Sequence, residues 1–237
     1  MSMNTGFQFK QFFVSHDLSS MKVGTDGVLL GSWTPISNQP LRILDVGTGS
    51  GLIALMLAQR CPDALIDAID IDEASCRQAQ DNFDTSPWAE RLHAAHSSLQ
   101  QWQGREYDLI VSNPPFFVDS LKAPDAARCA ARHNDTLPFT TLIAESAKLL
   151  KHEGTLAVIV PCEAEETLQT LAAAAGLQCT HRCHVHPKPG RAAKRVMIAW
   201  TNILSTDFTE RAENITLEDD HGGRSPEYQQ LTKDFYL

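Results

Sequence analysis

The sequence predicts an α/β fold, an open, doubly wound, mostly parallel sheet with helices on both faces. Three observations carry that expectation. Short apolar runs alternate with stretches of helical periodicity along most of the chain, the pattern of a parallel sheet. The run Leu41–Val46 passes directly into Gly47-Thr48-Gly49-Ser50-Gly51 and then into a second apolar stretch, Leu52–Arg60. The run Tyr107–Ser112 stops abruptly at Asn113-Pro114-Pro115-Phe116.

Taken in order, residues 1–20 place Phe7, Phe9, Phe12 and Phe13 among polar neighbours, an aromatic start expected to pack on the core. Thr25 or Asp26 is expected to cap a helix through Leu29, Leu30 and Trp33. Strand, glycine loop and buried helix follow over 41–60, an anion-binding arrangement in which free N–H groups face whatever lies over the loop. A second strand, Ala64–Ile69, ends at Asp70, with Asp72 as cap of the next helix. Ser86-Pro87 predicts a short helical turn with proline at its first position, and Leu92–Ala95 a third strand leading to His96-Ser97-Ser98.

Tyr107–Ser112 is the fourth strand, and the polar stretch 118–136 carries Arg128 and Arg132. Pro138–Leu150 reads as a helix stopped by Gly154, and Thr155–Val160 as the fifth strand. Glu163–Ala175 is a helix ended by Gly176, and Leu177–His184 and Val196–Thr201 are two more strands around a Pro187/Pro189/Gly190 loop. The tail predicts a strand near Ile215–Leu217 and a helix from Pro226 into Phe235-Tyr236.

The length of 237 residues fits one α/β domain, with 1–40 as an N-terminal segment, 41–201 as the core and 202–237 as a strand-and-helix tail. With 43% hydrophobic and 21% charged residues the composition is that of a globular protein. No apolar run approaches the ~20 residues that span a membrane, and the amino terminus lacks a secretory h-region. Six scattered cysteines argue for reduced thiols and a cytoplasmic location. On a strand, Cys179, His181 and Cys183 share one face, but their spacing matches no common zinc pattern, so no metal is expected.

The Asn-Pro-Pro-Phe stretch carries the chemistry. Two prolines cannot extend a central strand, and each pushes the residue before it into an extended conformation. A stiff loop therefore stands at a strand's carboxyl end, where open α/β sheets bind ligands. The Asn113 side-chain oxygen and the Pro114 carbonyl can both accept from an exocyclic NH2, and Phe116 can stack on the ring that bears it, a contact worth about 1–3 kcal/mol. Taken alone, the stretch reads equally well as an ordinary proline turn with Phe116 in the core. Asp70, 23 residues after Gly47, can accept from a ribose diol beside the glycine loop. A dinucleotide site wants Gly-x-Gly-x-x-Gly, yet position 52 is leucine and the third glycine comes one place early.

A formal charge of −9 leaves no overall basic footprint for nucleic acid. Lys188, Arg191, Lys194 and Arg195 nonetheless cluster within eight positions. By composition alone that cluster reads as a solvated loop.

Asp45-Val-Gly47-Thr-Gly49-Ser-Gly51, Asp70 and Asn113-Pro-Pro-Phe116, in this order and spacing, resemble the signature of the S-adenosylmethionine-dependent amino-methyltransferases. Phe9-Lys-Gln-Phe12-Phe13, Met21–Gly27, Ser86–Arg91 and Phe235-Tyr236-Leu237 are similar to segments of the bacterial tRNA(Val) adenine-N6 methyltransferase family. The resemblance implies a Rossmann-like, seven-stranded methyltransferase sheet and methylation of the adenine beside the anticodon. It implies S-adenosylmethionine held by Asp45, Gly47, Gly49, Gly51, Asp70, Ile71, Ser98 and Asn113, with Lys22, Gly24, Thr25 and Asp26 closing over it. Ser98 stands where such families often place an acidic residue for the cofactor's adenine amine; a hydroxyl can accept the same bond. Catalysis falls to Asn113, Pro114 and Phe116. The tRNA is expected on Pro115, Phe117, Arg128, Arg132 and the Lys188, Arg191, Lys194, Arg195 loop, and the chain is expected to be monomeric. Guanine-N2 RNA methylation, glutamine-N5 methylation of a release factor, and a cofactor-binding RNA module without turnover are the alternatives.

Overall fold

The computed structural model describes residues 6–17, 23–36, 39–103, 105–115, 137–203 and 209–237. A hairpin opens the chain, β1 (Gly6–Gln8) pairing antiparallel with β2 (Phe13–Ser15). Helix α1 (Thr25–Trp33) precedes β3 (Arg42–Val46), α2 (Leu52–Arg60), β4 (Leu65–Asp70), α3 (Glu73–Asp84) and β5 (Leu92–His96). Then come β6 (Tyr107–Ser112), α4 (Phe139–Leu149), β7 (Leu150–Pro161), α5 (Glu165–Ala174), β8 (Gln178–His186), β9 (Arg195–Thr201), β10 (Arg211–Thr216) and α6 (Pro226–Thr232).

The main sheet runs in the order β10-β8-β9-β7-β6-β3-β4-β5, with β9 alone antiparallel to its neighbours. It has eight strands where seven were expected. The extra one is β10, which pairs in parallel with β8 from Arg211↔His181 to Thr216↔His186 and covers what would otherwise be an open strand edge.

Both faces are covered, and the strands alternate between them. Ile43, Leu109, Ala157 and Ile159 join a cluster with Leu29, Leu55, Phe83 and Tyr228, so α1, α2, α3 and α6 lie on that side. Leu44, Ile110, Val158 and Val160 join Leu142, Ile143 and Leu168 beneath α4 and α5. The aromatic start packs as expected: Phe9 is fully buried, stacked 4.7 Å from Phe12 and 5.9 Å from Tyr236 at the far end of the chain.

Several local expectations are corrected. Neither Thr25 nor Asp26 caps α1; the N-cap residue is Gly24, which has no side chain to cap with, and the Asp26 carboxylate accepts from Arg195. Gly154 does not stop α4, which ends at Leu149 and passes straight into β7. Tyr107 pairs with Leu150 and Leu109 with Thr155, so 151–154 form a bulge in which Glu153 adopts φ +66°. The short 3-10 turn spans Ala89–Arg91, beyond Pro87, and the Arg91 guanidinium binds the carbonyls of Ala58, Cys61 and Ala64 at the end of α2. Cys179 and Cys183 do not share a face. The pairing of β8 with β9 shifts between Cys179 and His181, which puts Cys179 against one core cluster and Cys183 in the other. Among the described residues no group of three His, Cys, Asp or Glu side chains is placed to hold a metal, and no helix is long and apolar enough to cross a membrane.

Candidate active site

The sheet order fixes where the chain can bind a ligand. β4 and β5 build outward from one side of β3, and β6 returns to its other side, so the order reverses between β3 and β6. Val46 is level with both Ile69 of β4 and Ser112 of β6, and the Ser112 hydroxyl donates to the Val46 carbonyl at 2.8 Å. The glycine loop, Asp70 and Asn113 thus emerge side by side at the crevice where doubly wound sheets take their ligands.

The loop is shaped by its glycines and by two buried braces. Gly47 has φ +72°, and a Cβ there would meet nothing within 4 Å, so its backbone faces open space. Gly51, the N-cap of α2, has φ +81°, and a Cβ there would stand 2.5 Å from the Phe83 ring. Beneath them lies Asp45, fully buried, whose Oδ2 accepts from Thr48 Oγ1 at 2.7 Å and from the Ala54 amide at 3.2 Å. Burial pushes its carboxyl up from 3.8 to about 7 against the lowering effect of those two bonds, and the nearby Asp70 charge adds to the rise. With no surface exposed in the folded chain, Asp45 braces the loop from within through Thr48 and Ala54.

The second brace is Asn82 on α3, also buried. Its amide accepts from the Ser15 N–H at 2.9 Å and donates to the Ser15 and Ser50 carbonyls at 2.8 Å each, pinning the end of β2 to the glycine loop. Sequence reasoning missed it, although a polar residue between Ala79 and Phe83 on the buried side of a helix was a usable signal.

Asp70 at the end of β4 is held by two backbone donors. Gly49 N–H reaches its Oδ2 at 2.9 Å and Asp72 N–H its Oδ1 at 3.0 Å, which orients the carboxylate beside the loop. Asp72 caps α3 as expected, accepting from Ala74 and Ser75. Ile71, next to Asp70, is a large apolar residue left 48% exposed at the ligand edge. The Ser98 hydroxyl donates to Gln101 Oε1 at 3.2 Å and keeps its lone pairs for accepting.

Across the crevice Asn113 is half-buried, Pro114 buried and Pro115 exposed. The Asn113 Oδ1 is buried without a hydrogen-bond partner. An orphaned buried acceptor costs about 1–3 kcal/mol, so it stands ready for a donor. Lys22, Phe116, Phe117, Arg128 and Arg132 lie outside the described residues.

The β8–β9 turn shares this edge. β8 runs parallel to β10, and Val185 of β8 and Pro161 of β7 are both level with Arg195, so the turn 187–194 follows a carboxyl end. Arg191 and Lys194 are exposed; Lys188 Nζ pairs with Glu218 at 3.0 Å. Arg195, expected among the RNA-facing cations, instead gives its Nε to Asp26 Oδ2 at 2.8 Å. The structure therefore joins Asp26 to Arg195 and separates both from the exposed pair.

Residues 28–176 match the family model described as the methyltransferase small domain. The chain is 48% identical to the tRNA1(Val) (adenine(37)-N6)-methyltransferase of Parabacteroides distasonis, over 99% of this chain and 98% of that one. It is 43% identical to the protein of the same name from Tolumonas auensis, over 98% and 96%. Among solved structures, a predicted O-methyltransferase of Agrobacterium tumefaciens is similar with a TM-score of 0.66 at 15% identity, over 89% of this chain and 96% of that one. The Thermus thermophilus 16S rRNA N2 G1207 methyltransferase, solved with AdoMet and guanosine, is similar with a TM-score of 0.57 at 19% identity, over 84% of this chain and 50% of that one. At those identities the likeness is one of fold.

Proposed function

The chain belongs to the methyltransferase small-domain family and, within it, to the tRNA1(Val) (adenine(37)-N6)-methyltransferases; from that premise we propose that it methylates the N6 amine of the adenine beside the anticodon of a tRNA. The observation that carries the site assignment is the buried, unpartnered Asn113 Oδ1 at the reversal point of the sheet.

The residues present fit S-adenosylmethionine. Open space over Gly47 leaves room along the loop backbone, the Asp70 carboxylate is oriented for a ribose diol, and exposed Ile71 offers an apolar surface to a flat ring. Ser98 keeps an acceptor for an exocyclic amine. Bound there, S-adenosylmethionine supplies an electrophilic methyl group on a sulfonium.

The chain's own part is to prepare the nucleophile. An aromatic amine is weakly nucleophilic because its lone pair is delocalised into the ring. Asn113 Oδ1 and the Pro114 carbonyl accept its two N–H bonds, favour a pyramidal nitrogen and aim the freed lone pair along the transfer line. No side chain is assigned as general base, because the methylated cation is acidic enough to lose its proton to water. The adenine must leave its stack to reach this depth, which costs little in a loop that is already unpaired.

The test is transfer from labelled S-adenosylmethionine to total tRNA, followed by nucleoside mass spectrometry. N6-methyladenosine is the expected product. Label in N2-methylguanosine, or in a release-factor glutamine when that protein is supplied, would overturn the reading.

A further inference from the structure

The Arg195–Asp26 ion pair joins two parts of the ligand edge that are 169 residues apart in sequence. Arg195 opens β9, level with Pro161 at the end of β7 and Val185 near the end of β8. Asp26 lies in the first turn of α1. Both side chains are partly covered, 34% and 26% exposed, and the Nε–Oδ2 distance of 2.8 Å is that of a charge-assisted hydrogen bond.

α1 is also held closely on α2. A Cβ on Gly27 would stand 3.0 Å from Leu52 Cδ2, and one on Gly31 would stand 2.7 Å from Met56 Sδ. Glycines four apart thus let α1 lie closely on α2, with its first turn against Leu52, the residue that follows the glycine loop. The first turn of α1 is held between that loop and the start of β9.

We infer that Arg195 is a positioning residue for methyl transfer: through Asp26 it fixes the first turn of α1 beside the glycine loop, and it is not an RNA phosphate contact. The inference rests on reading the Gly47–Gly51 loop as the cofactor site. It makes Arg195 the link between the helix on the cofactor side and the turn on the RNA side, since Arg191 and Lys194 precede it directly.

A positioning arginine and a phosphate-binding arginine leave different signatures. S-adenosylhomocysteine binding is measured by calorimetry on the full chain and its Arg195→Met, Arg195→Lys, Asp26→Asn and Arg195→Met/Asp26→Asn variants. Binding of tRNA is followed in parallel at several salt concentrations. Arg195→Met and Asp26→Asn are each expected to weaken S-adenosylhomocysteine about five- to tenfold, with the double variant no worse than either single one. Arg195→Lys should recover part of the loss, and the tRNA salt slope should stay at its wild-type value. Unchanged cofactor affinity in Arg195→Met, additive losses in the double variant, or a salt slope flattened by about one unit would overturn the inference. Thermal unfolding of each variant separates loss of fold from loss of affinity, and Arg195→Lys serves alone if the methionine variant unfolds. Failure of the wild type to bind S-adenosylhomocysteine would instead defeat the cofactor-site reading beneath it.

Discussion

At the residue scale, two buried oxygens without partners mark the site, Asn113 Oδ1 and Asp45 Oδ1. Such groups lower stability and persist where function needs them. Asn113→Ala removes an interaction assigned to the transition state, so kcat should fall by about 10² or more while S-adenosylmethionine affinity stays near wild type. Single-turnover methylation and calorimetry on the same variant check this; a normal kcat with a raised KM would reduce Asn113 to a binding residue. Asp45 makes a prediction about pH. Its folded carboxyl titrates near 7 because burial penalises the charge, whereas in the unfolded chain it titrates near 3.8. The folded state therefore holds the proton more tightly. The stability this confers is full below the unfolded value and is lost as pH rises through 7. Asp45→Asn keeps an acceptor for Thr48 and Ala54 but cannot ionise. Its stability relative to wild type should rise by about 2–4 kcal/mol between roughly pH 4 and pH 8, read from urea midpoints without cofactor. A difference independent of pH would show that Asp45 is not protonated in the folded state.

At the scale of elements, the glycine loop is built so that three segments meet at one point. Asp45 at the end of β3 braces it from below, Asn82 on α3 from the side, and Phe83 closes on Gly51 at the start of α2. Gly51→Ala would force a side chain into the left-handed region and into the Phe83 ring, two costs of about 1–3 kcal/mol each. A loss of about 2–5 kcal/mol, measured by thermal or urea unfolding, is expected on that basis. A loss well under 1 kcal/mol would mean that α3 yields easily and that the loop is less tightly held than this packing implies.

For the whole molecule, the question is how a chain of net charge −9 receives an RNA. The sheet order gives part of the answer, because β8 and β9 place their turn on the same edge as Asn113. Of the four cations there, Lys188 is matched by Glu218 and Arg195 by Asp26. Arg191 and Lys194, both exposed, are the cations proposed to meet phosphates. Arg191→Ala and Lys194→Ala should each weaken all tRNAs alike and flatten the salt dependence by about one unit, while Lys188→Ala should do less because Glu218 already offsets its charge. Binding slopes identical to wild type in the double variant would return the turn to plain solvated surface.

How much of this was legible in the sequence follows from the range of each interaction. β3, its glycine loop and α2, the Asp72 cap and the stop at Asn113-Pro114-Pro115 are set by neighbours in the chain, and each was found where it was expected. Helical and strand periodicity sufficed for the alternating architecture, because the central strands β3, β6, β7 and β9 are covered on both faces and are largely apolar. The pairing of Arg195 with Asp26, the Asn82 clamp and the docking of β10 on β8 were not legible. Each depends on which distant segments the sheet order brings together, and a local pattern carries no information about that order. The bulges at 151–154 and between Cys179 and His181 belong with them, since a strand's register is decided by its partner. The sequence by itself thus determined the elements and the local chemistry of the loop and of Asn113. Only the tertiary structure decided that Asp45 braces the loop from a fully buried position, and that Arg195 turns inward while Arg191 and Lys194 face out, because burial and charge pairing are properties of the assembled edge.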